Sequence, residues 1–539
     1  MSAPDEDPKP VGNIQINSVR QWRTQLGLRV LLLAVFASLS GIYLCWGWSN
    51  DITDLGGDSS VYMLAAHYFS PFWPHSSVSA EFARGMVYPP LFPLLIGLLG
   101  GSMLAGHLLV IVSLLAAILC LYAWLRIEGL SITVSLCTCL VFALMPGTYL
   151  QSLNIWTENL YLFLSLLAIA FEACAEKGSG QQAGFRWGAA AAVAGATMVR
   201  AAALPLLAAF LIRLVMTRPR RWPWLMLTSI TPFALWSIWS RLNQSGVHSY
   251  LSQLQNSYTD DLVGAFFGQL GTEGRRVLMA WPQSWLATGG NDPLHGLTWA
   301  IGAICLFGWA WRLARSRFDA FYLGLYVIVL FIWPYPAEAR RLSYVMMPLL
   351  IGQGVLLIVA LSRANRKNNL SALPWVWFGA MTIAILPSLI LTAQRFHEIL
   401  PDYMSVARHT EDWYGDDRKR AFRSSQIFAG TLNGLKDIIS HVPTGDCIFS
   451  IKPSIVAVYS DRHSYSPPSP AASDEQFDRG IGKCPFAYLF SIRTPAINQL
   501  LYPMDRLGDR AEPILVAKSE GEDNFLVYAA LVAIKPRQQ

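Results

Sequence analysis

The residue best placed to do chemistry in this chain is Asp58, in the run Gly56-Gly57-Asp58-Ser59-Ser60-Val61-Tyr62. A carboxylate there precedes an amphipathic, aromatic-rich stretch that reads as a helix lying in a membrane interface. Asp before Ser-Ser-Val starts helices well, and the same position would hold a proton-accepting carboxylate at the membrane surface; the two roles are compatible. Asp51 and Asp54 lie close by. Glu158 opens an apolar run in Trp156-Thr157-Glu158-Asn159-Leu160-Tyr161 and is either a helix-start acid favoured by the dipole or a second functional acid. Among the cations, Arg200 interrupts an apolar region, where an ionisable group is expensive and usually functional. Arg340 and Arg341 precede a late apolar run and Arg84 lies in the same loop as Asp58. The spacing of His67 and His75 is not a metal-ligand signature, and Cys137 and Cys139, one residue apart inside an apolar run, read as small hydrophobes. No phosphate-binding Gly loop follows a strand, and there is no nucleophile elbow.

The elements that must position these residues are membrane helices. Of 539 residues, 53% are apolar and 14% charged, too little charge for an ordinary pair of soluble domains. The formal charge of +6 comes from short Lys/Arg clusters between apolar runs rather than from a basic face, so nucleic acid is not an expected partner. Spanning hydrocarbon takes about 20 apolar residues, which predicts about eleven spans near 28–49, 102–126, 131–150, 155–174, 187–199, 201–217, 222–240, 297–313, 319–335, 343–361 and 373–394. The pair at 187–217 is split by Arg200 and reads as a broken span meeting a water-filled cavity.

Clusters around Arg20, Arg213 to Arg221, Arg312 to Arg317 and Arg363 to Lys367 fall on one side if the spans alternate, and the positive-inside rule makes that side the cytoplasm. This predicts a cytoplasmic segment 1–27, a membrane domain 28–394 with outer loops 50–101 and 241–296, and an outer soluble domain 395–539. The first apolar run is retained, because no cleavage site follows it. In the tail, apolar residues at helical spacing predict a helix over 418–440. Runs 446–451, 486–492 and 525–532 read as strands and Ser466 to Pro470 as a loop, giving a small α/β domain. Cys447 and Cys484 form an even pair in that tail, able to form a disulfide in an oxidising compartment.

The pattern Gly57-Asp58-x-x-x-Tyr62, followed by Tyr88-Pro89-Pro90-Leu91-x-Pro93, resembles the GT-C superfamily of membrane glycosyltransferases. More narrowly it resembles bacterial members related to protein mannosyltransferases, aminoarabinose transferases and rhizobial lipopolysaccharide-core glycosyltransferases. Further matches are Trp156 to Tyr161, Val199-Arg200, and Arg340-Arg341-Leu342-Ser343-Tyr344, so the resemblance covers roughly the first 400 residues. One departure is Ser59, where many relatives carry a second acid.

The resemblance implies a bacterial inner-membrane enzyme, N-terminus cytoplasmic and tail periplasmic. It would move a sugar from a polyprenyl-phosphate donor to an envelope glycolipid, lipopolysaccharide, polysaccharide or protein. Asp58 is then the general base, because a sugar hydroxyl does not ionise at neutral pH, and burial is expected to raise its pKa. Glu158 orients the acceptor or shares that role. Arg340, Arg341, Arg200 and Arg84 are expected at the donor phosphate, and Tyr62, Tyr88 and Asp54 at the substrate. For Arg340 and Arg341 the alternative is pairing with Glu338 or lipid headgroups. No cofactor is required, since arginines replace a metal at the phosphate. A transporter or flippase of lipid-linked saccharide is the rival from another class; it predicts symmetry between two halves, which the sequence lacks. A polysaccharide polymerase or ligase is a third reading.

Overall fold

A computed structural model describes residues 27, 30–31, 34–45, 47–55, 57–178, 182–243, 262–285, 294–333, 339–364, 372–403, 418–490, 501–519 and 526–536. They divide into two compact units, Met1–Trp46 and Gly47–Gln539. The first unit contains the apolar helix Ala34–Cys45.

The protein is mostly helical, and the expected count of eleven spans is corrected downward. Among the described residues, five helices are long and apolar enough to cross a membrane: Met103–Ile127, Glu158–Glu176, His295–Leu313, Met347–Ala364 and the Leu373–Leu391 part of a longer helix. A sixth candidate is the pair Ile132–Leu144 and Pro146–Leu153, bent by 59°, where Pro146 has no N–H to continue the ladder. The other apolar runs are helical too, but short or diluted. Gln182–Val199 is rich in Ala and Gly, Leu204–Thr217 has only 14 residues, and Trp222–Asn243 carries Pro232 inside it. The loop expected over 241–296 contains a 24-residue helix, Leu262–Trp285. Arg275 and Arg276 and its polar positions hid it from a search for continuous apolarity.

Small residues set the helix spacing, as is usual where helices pack in lipid. A Cβ on Gly308 would stand 2.4 Å from the Gln353 carbonyl oxygen, so His295–Leu313 and Met347–Ala364 are in backbone contact there. At one end of the bundle, charges close the helices together: Arg213 and Arg317 share Glu176, and Arg312 takes both Glu128 and Asp319. These arginines belong to the clusters that the charge rule placed on one side.

The tail forms the expected helix, Arg418–His441, and a mixed sheet. Strands β1 (Ile448–Phe449), β2 (Ser464–Tyr465), β3 (Phe486–Phe490), β4 (Ala511–Ser519) and β5 (Leu526–Ile534) run in the order β2-β1-β3-β5-β4. The first three are parallel, and β5 is antiparallel to both β3 and β4. Strands β2 and β4 are additional to the sequence reading. Phe428, Leu432, Leu435 and Ile438 of the helix bury against the sheet, and the Tyr488 hydroxyl donates to the Thr431 carbonyl at 2.7 Å. Cys447 and Cys484 are joined by a disulfide, which ties the residue before β1 to the approach to β3. Ile52 and Leu55 of the first loop enter this same core.

Candidate active site

The helix Ser59–Phe69 begins immediately after Asp58, as expected, but the carboxylate does not cap it. Instead Asp58 Oδ1 accepts from the Tyr88 hydroxyl at 2.8 Å and Oδ2 from Arg341 Nη1 at 2.9 Å. Nor is the helix a simple interfacial one, since Tyr62 through Ala66 are all buried. Gly57 explains the turn. A Cβ there would lie 1.6 Å from Asp54 Oδ2 and 3.0 Å from Trp156 Nε1, so only glycine leaves room for the bond from Trp156 Nε1 to Asp54 Oδ2, 2.8 Å.

Glu158 is the first residue of its span and is fully buried. Its position suits the helix dipole, but two guanidinium groups hold it as well. Arg200 Nη1 donates to Oε1 at 2.5 Å, while Arg341 Nε donates to Oε1 and Nη2 to Oε2 at 3.4 Å. Arg200 reaches it because the chain is extended at that residue, between Gln182–Val199 and the turn Ala201–Ala203. Arg341 comes from the short helix Ala339–Tyr344 and lies over the Trp156 ring, 4.3 Å from its centroid. Four regions of the sequence thus meet as Asp58–Arg341–Glu158–Arg200, two carboxylates with two guanidinium groups.

Asp58, Arg200 and Arg341 line a cavity of about 1160 Å³, and the fully buried Glu158 does not. Asp58, Tyr62, Arg84 and Tyr88 line it from the first loop, and Arg200 and Arg341 from the bundle. The tail contributes Lys452, Ser464 and Tyr465. The first loop and the sheet therefore lie on the same side of the molecule. The Tyr62 and Tyr88 rings pack at 5.1 Å between centroids. Arg84 is exposed and without an ion pair among the described residues. Arg340 is half-buried and does not line the cavity, and Glu338 lies outside the described residues. Asp54 also stands off the cavity, held by Trp156. Asp51 turns the other way, to Lys436 at 2.8 Å. Lys452 is the cavity residue that sequence reasoning missed; a lysine before a proline-started helix carries no local signal.

The electrostatics correct one expectation. Burial pushes the Asp58 carboxyl up, but the charges of Arg341 and Lys452, with hydrogen bonds from Arg341 and Tyr88, outweigh it and leave the group below its ordinary value. Asp54 goes the other way: burial lifts it to about 6, and its Oδ1 is buried without a hydrogen-bond partner among the described residues. Among the described residues no group of three or more His, Cys, Asp or Glu side chains converges as a metal site. His67 stacks on Trp73 and His75 packs against Tyr68.

The fold is structurally similar to that of GT-C membrane glycosyltransferases. One such structure is the archaeal oligosaccharyltransferase AglB from Archaeoglobus fulgidus, in complex with an inhibitory peptide and a dolichol-phosphate. It aligns with a TM-score of 0.50 and 12% identity over 85% of this chain and 69% of its own. ArnT from Cupriavidus metallidurans in the apo state aligns with a TM-score of 0.49 and 12% identity, over 95% of this chain and 98% of its own. No protein-family model matches the sequence, and no curated protein matches it. At this identity the likeness defines the fold and gives no residue a role.

Proposed function

We propose that the chain transfers a sugar from a polyprenyl-phosphate donor to a cell-envelope acceptor, a glycolipid, lipopolysaccharide, polysaccharide or protein, on the outer face of a bacterial inner membrane. The observation that carries this reading is the Asp58–Arg341–Glu158–Arg200 constellation, in which Asp58, Arg341 and Arg200 line a large cavity. It sets a proton acceptor beside cations suited to phosphate. The archaeal AglB structure holds a dolichol-phosphate, and this reading brings that ligand class to the present chain. The disulfide in the tail suits an oxidising compartment, and the arginine-rich end of the bundle suits the cytoplasmic side.

The chemistry follows from charge. The acceptor hydroxyl attacks the anomeric carbon as Asp58 takes its proton, and the bond from that carbon to the phosphate oxygen breaks with its electrons going to the oxygen. Asp58 becomes neutral as the phosphate gains one negative charge. Arg341, until then balanced by Asp58, is left with charge to meet it, so proton transfer and leaving-group stabilisation are coupled through one side chain. The depressed pKa makes Asp58 a weaker base than burial alone would, but keeps it ionised and ready at neutral pH. Glu158 holds both arginines in place. Protein cations carry the phosphate charge, and the reading requires no cofactor.

The test is purified protein in nanodiscs with a pool of polyprenyl-phosphate sugars and envelope extract, read by mass spectrometry for a sugar gained by an acceptor. Asp58→Asn should lower transfer by about 10²–10⁴-fold while the unfolding temperature stays near wild type. Turnover within a few-fold of wild type would remove Asp58 from the chemistry. Movement of intact lipid-linked saccharide across vesicles, without transfer, would replace the enzyme by a flippase.

A further inference from the structure

The four charges of this constellation cancel. Asp58 and Glu158 bring two negative charges, Arg200 and Arg341 two positive ones, all within one connected set of ion pairs. A phosphodiester entering the cavity brings a negative charge of its own, and a charge taken out of water without a partner is costly. This set matches the charge that appears during the reaction, but not the charge the donor carries on arrival. Arg84 and Lys452 are the lining cations outside the set, and of the two it is Lys452 whose charge reaches Asp58.

Lys452 lines the same cavity. Its place is set by the helix that follows it, Pro453–Ser460, which is fastened to the first loop at several points. The Ser454 and Ser60 hydroxyls are 2.7 Å apart, Ala457 is buried with Leu64 and Val78, and the Ile52 N–H donates to the Tyr459 hydroxyl at 3.0 Å. The lysine stem is half-buried, and its charge is felt by both Asp58 and Asp54. The ammonium group therefore belongs to the electrostatics of the site, although it comes from the tail.

We propose that Lys452 is a substrate-contacting cation of this cavity, binding the resting negative charge of a lipid-linked phosphate while Arg341 stays paired with Asp58. The inference rests on the glycosyltransferase reading and adds the tail to the donor site. As a compact point charge on a flexible stem, a lysine can follow a phosphate without a fixed fork geometry.

The experiment measures binding of a polyprenyl phosphate, of the neutral polyprenol of equal length, and of inorganic phosphate to the full chain in nanodiscs. Wild type should prefer the lipid phosphate to the polyprenol. Lys452→Gln should weaken lipid-phosphate binding by about 10- to 100-fold and leave polyprenol binding unchanged, with Lys452→Arg recovering most of the loss. Amine labelling of the wild-type chain, which does not depend on how the variants fold, should show Lys452 protected by the lipid phosphate and not by the polyprenol. Unchanged binding in a folded Lys452→Gln variant, or unprotected Lys452, overturns the inference and leaves the function standing. Equal protection by inorganic phosphate overturns the lipid as its source. A wild type that does not distinguish lipid phosphate from polyprenol overturns the function, and the inference with it.

Discussion

Asp54 and Asp58 are close neighbours, yet their surroundings push them in opposite directions. For Asp54 burial prevails over the lowering effects of Ser59, Trp156 and Lys452; for Asp58 the charges of Arg341 and Lys452, with hydrogen bonds from Arg341 and Tyr88, prevail over burial. For Asp54 the folded pKa, about 6, lies above the ordinary 3.8. Its contribution to stability is then fully present below about pH 3.8 and lost as pH rises through 6. Asp58, with a depressed value, works the other way: its contribution is present above 3.8 and lost as pH falls further. Of these two carboxylates, Asp54 is the one whose contribution changes between pH 4 and 7.5, and comparison with a variant lacking it isolates that change. Asp54→Asn should match wild type in thermal unfolding at pH 4 and exceed it at pH 7.5, by up to about 3 kcal/mol. A gap that does not widen across this range would show that the carboxylate is not held in a desolvated place.

Glu158 belongs to the scale of elements, because it joins three of them. The span it opens, the break at Arg200 and the short helix carrying Arg341 meet at one fully buried carboxylate. Removing one partner from a buried ion pair typically costs about 3–5 kcal/mol, since the remaining charges are left uncompensated. Glu158→Gln should therefore lose stability on that scale, measured by unfolding in detergent, as well as activity. Asp58→Asn leaves Arg341 paired with Glu158 and should lose activity alone. If Glu158→Gln unfolds like wild type but transfers no sugar, Glu158 acts on the substrate rather than through the arginines.

At the scale of the whole molecule, the shared cavity constrains topology. Asp58 and Lys452 line one space, so the chain between the first loop and the tail must cross the membrane an even number of times. The proposed topology, with the N-terminus in the cytoplasm and one crossing before the first loop, then predicts the C-terminus outside. A reporter active only outside the cytoplasm should work after residue 539 and fail near Arg220 or Arg366; activity at Arg220 would overturn the arrangement.

What the sequence determined by itself is what depends on neighbours along the chain. Apolar runs, the helix start after Asp58, the break at Arg200, the tail helix and three of the strands follow from period, caps and punctuation. So does the choice of Asp58, Glu158, Arg200 and Arg341 as unusual residues, since a charge beside an apolar run is visible without a fold. Tertiary structure decided how those charges pair. Whether Asp58 is raised or lowered depends on Arg341 and Lys452, which no local pattern brings near it. It also decided that Arg340 stands off the cavity while its neighbour lines it, and that Leu262–Trp285 is a helix although its apolarity is interrupted. Local propensity acts over a few residues, whereas Coulomb interaction and burial depend on distances that only packing sets.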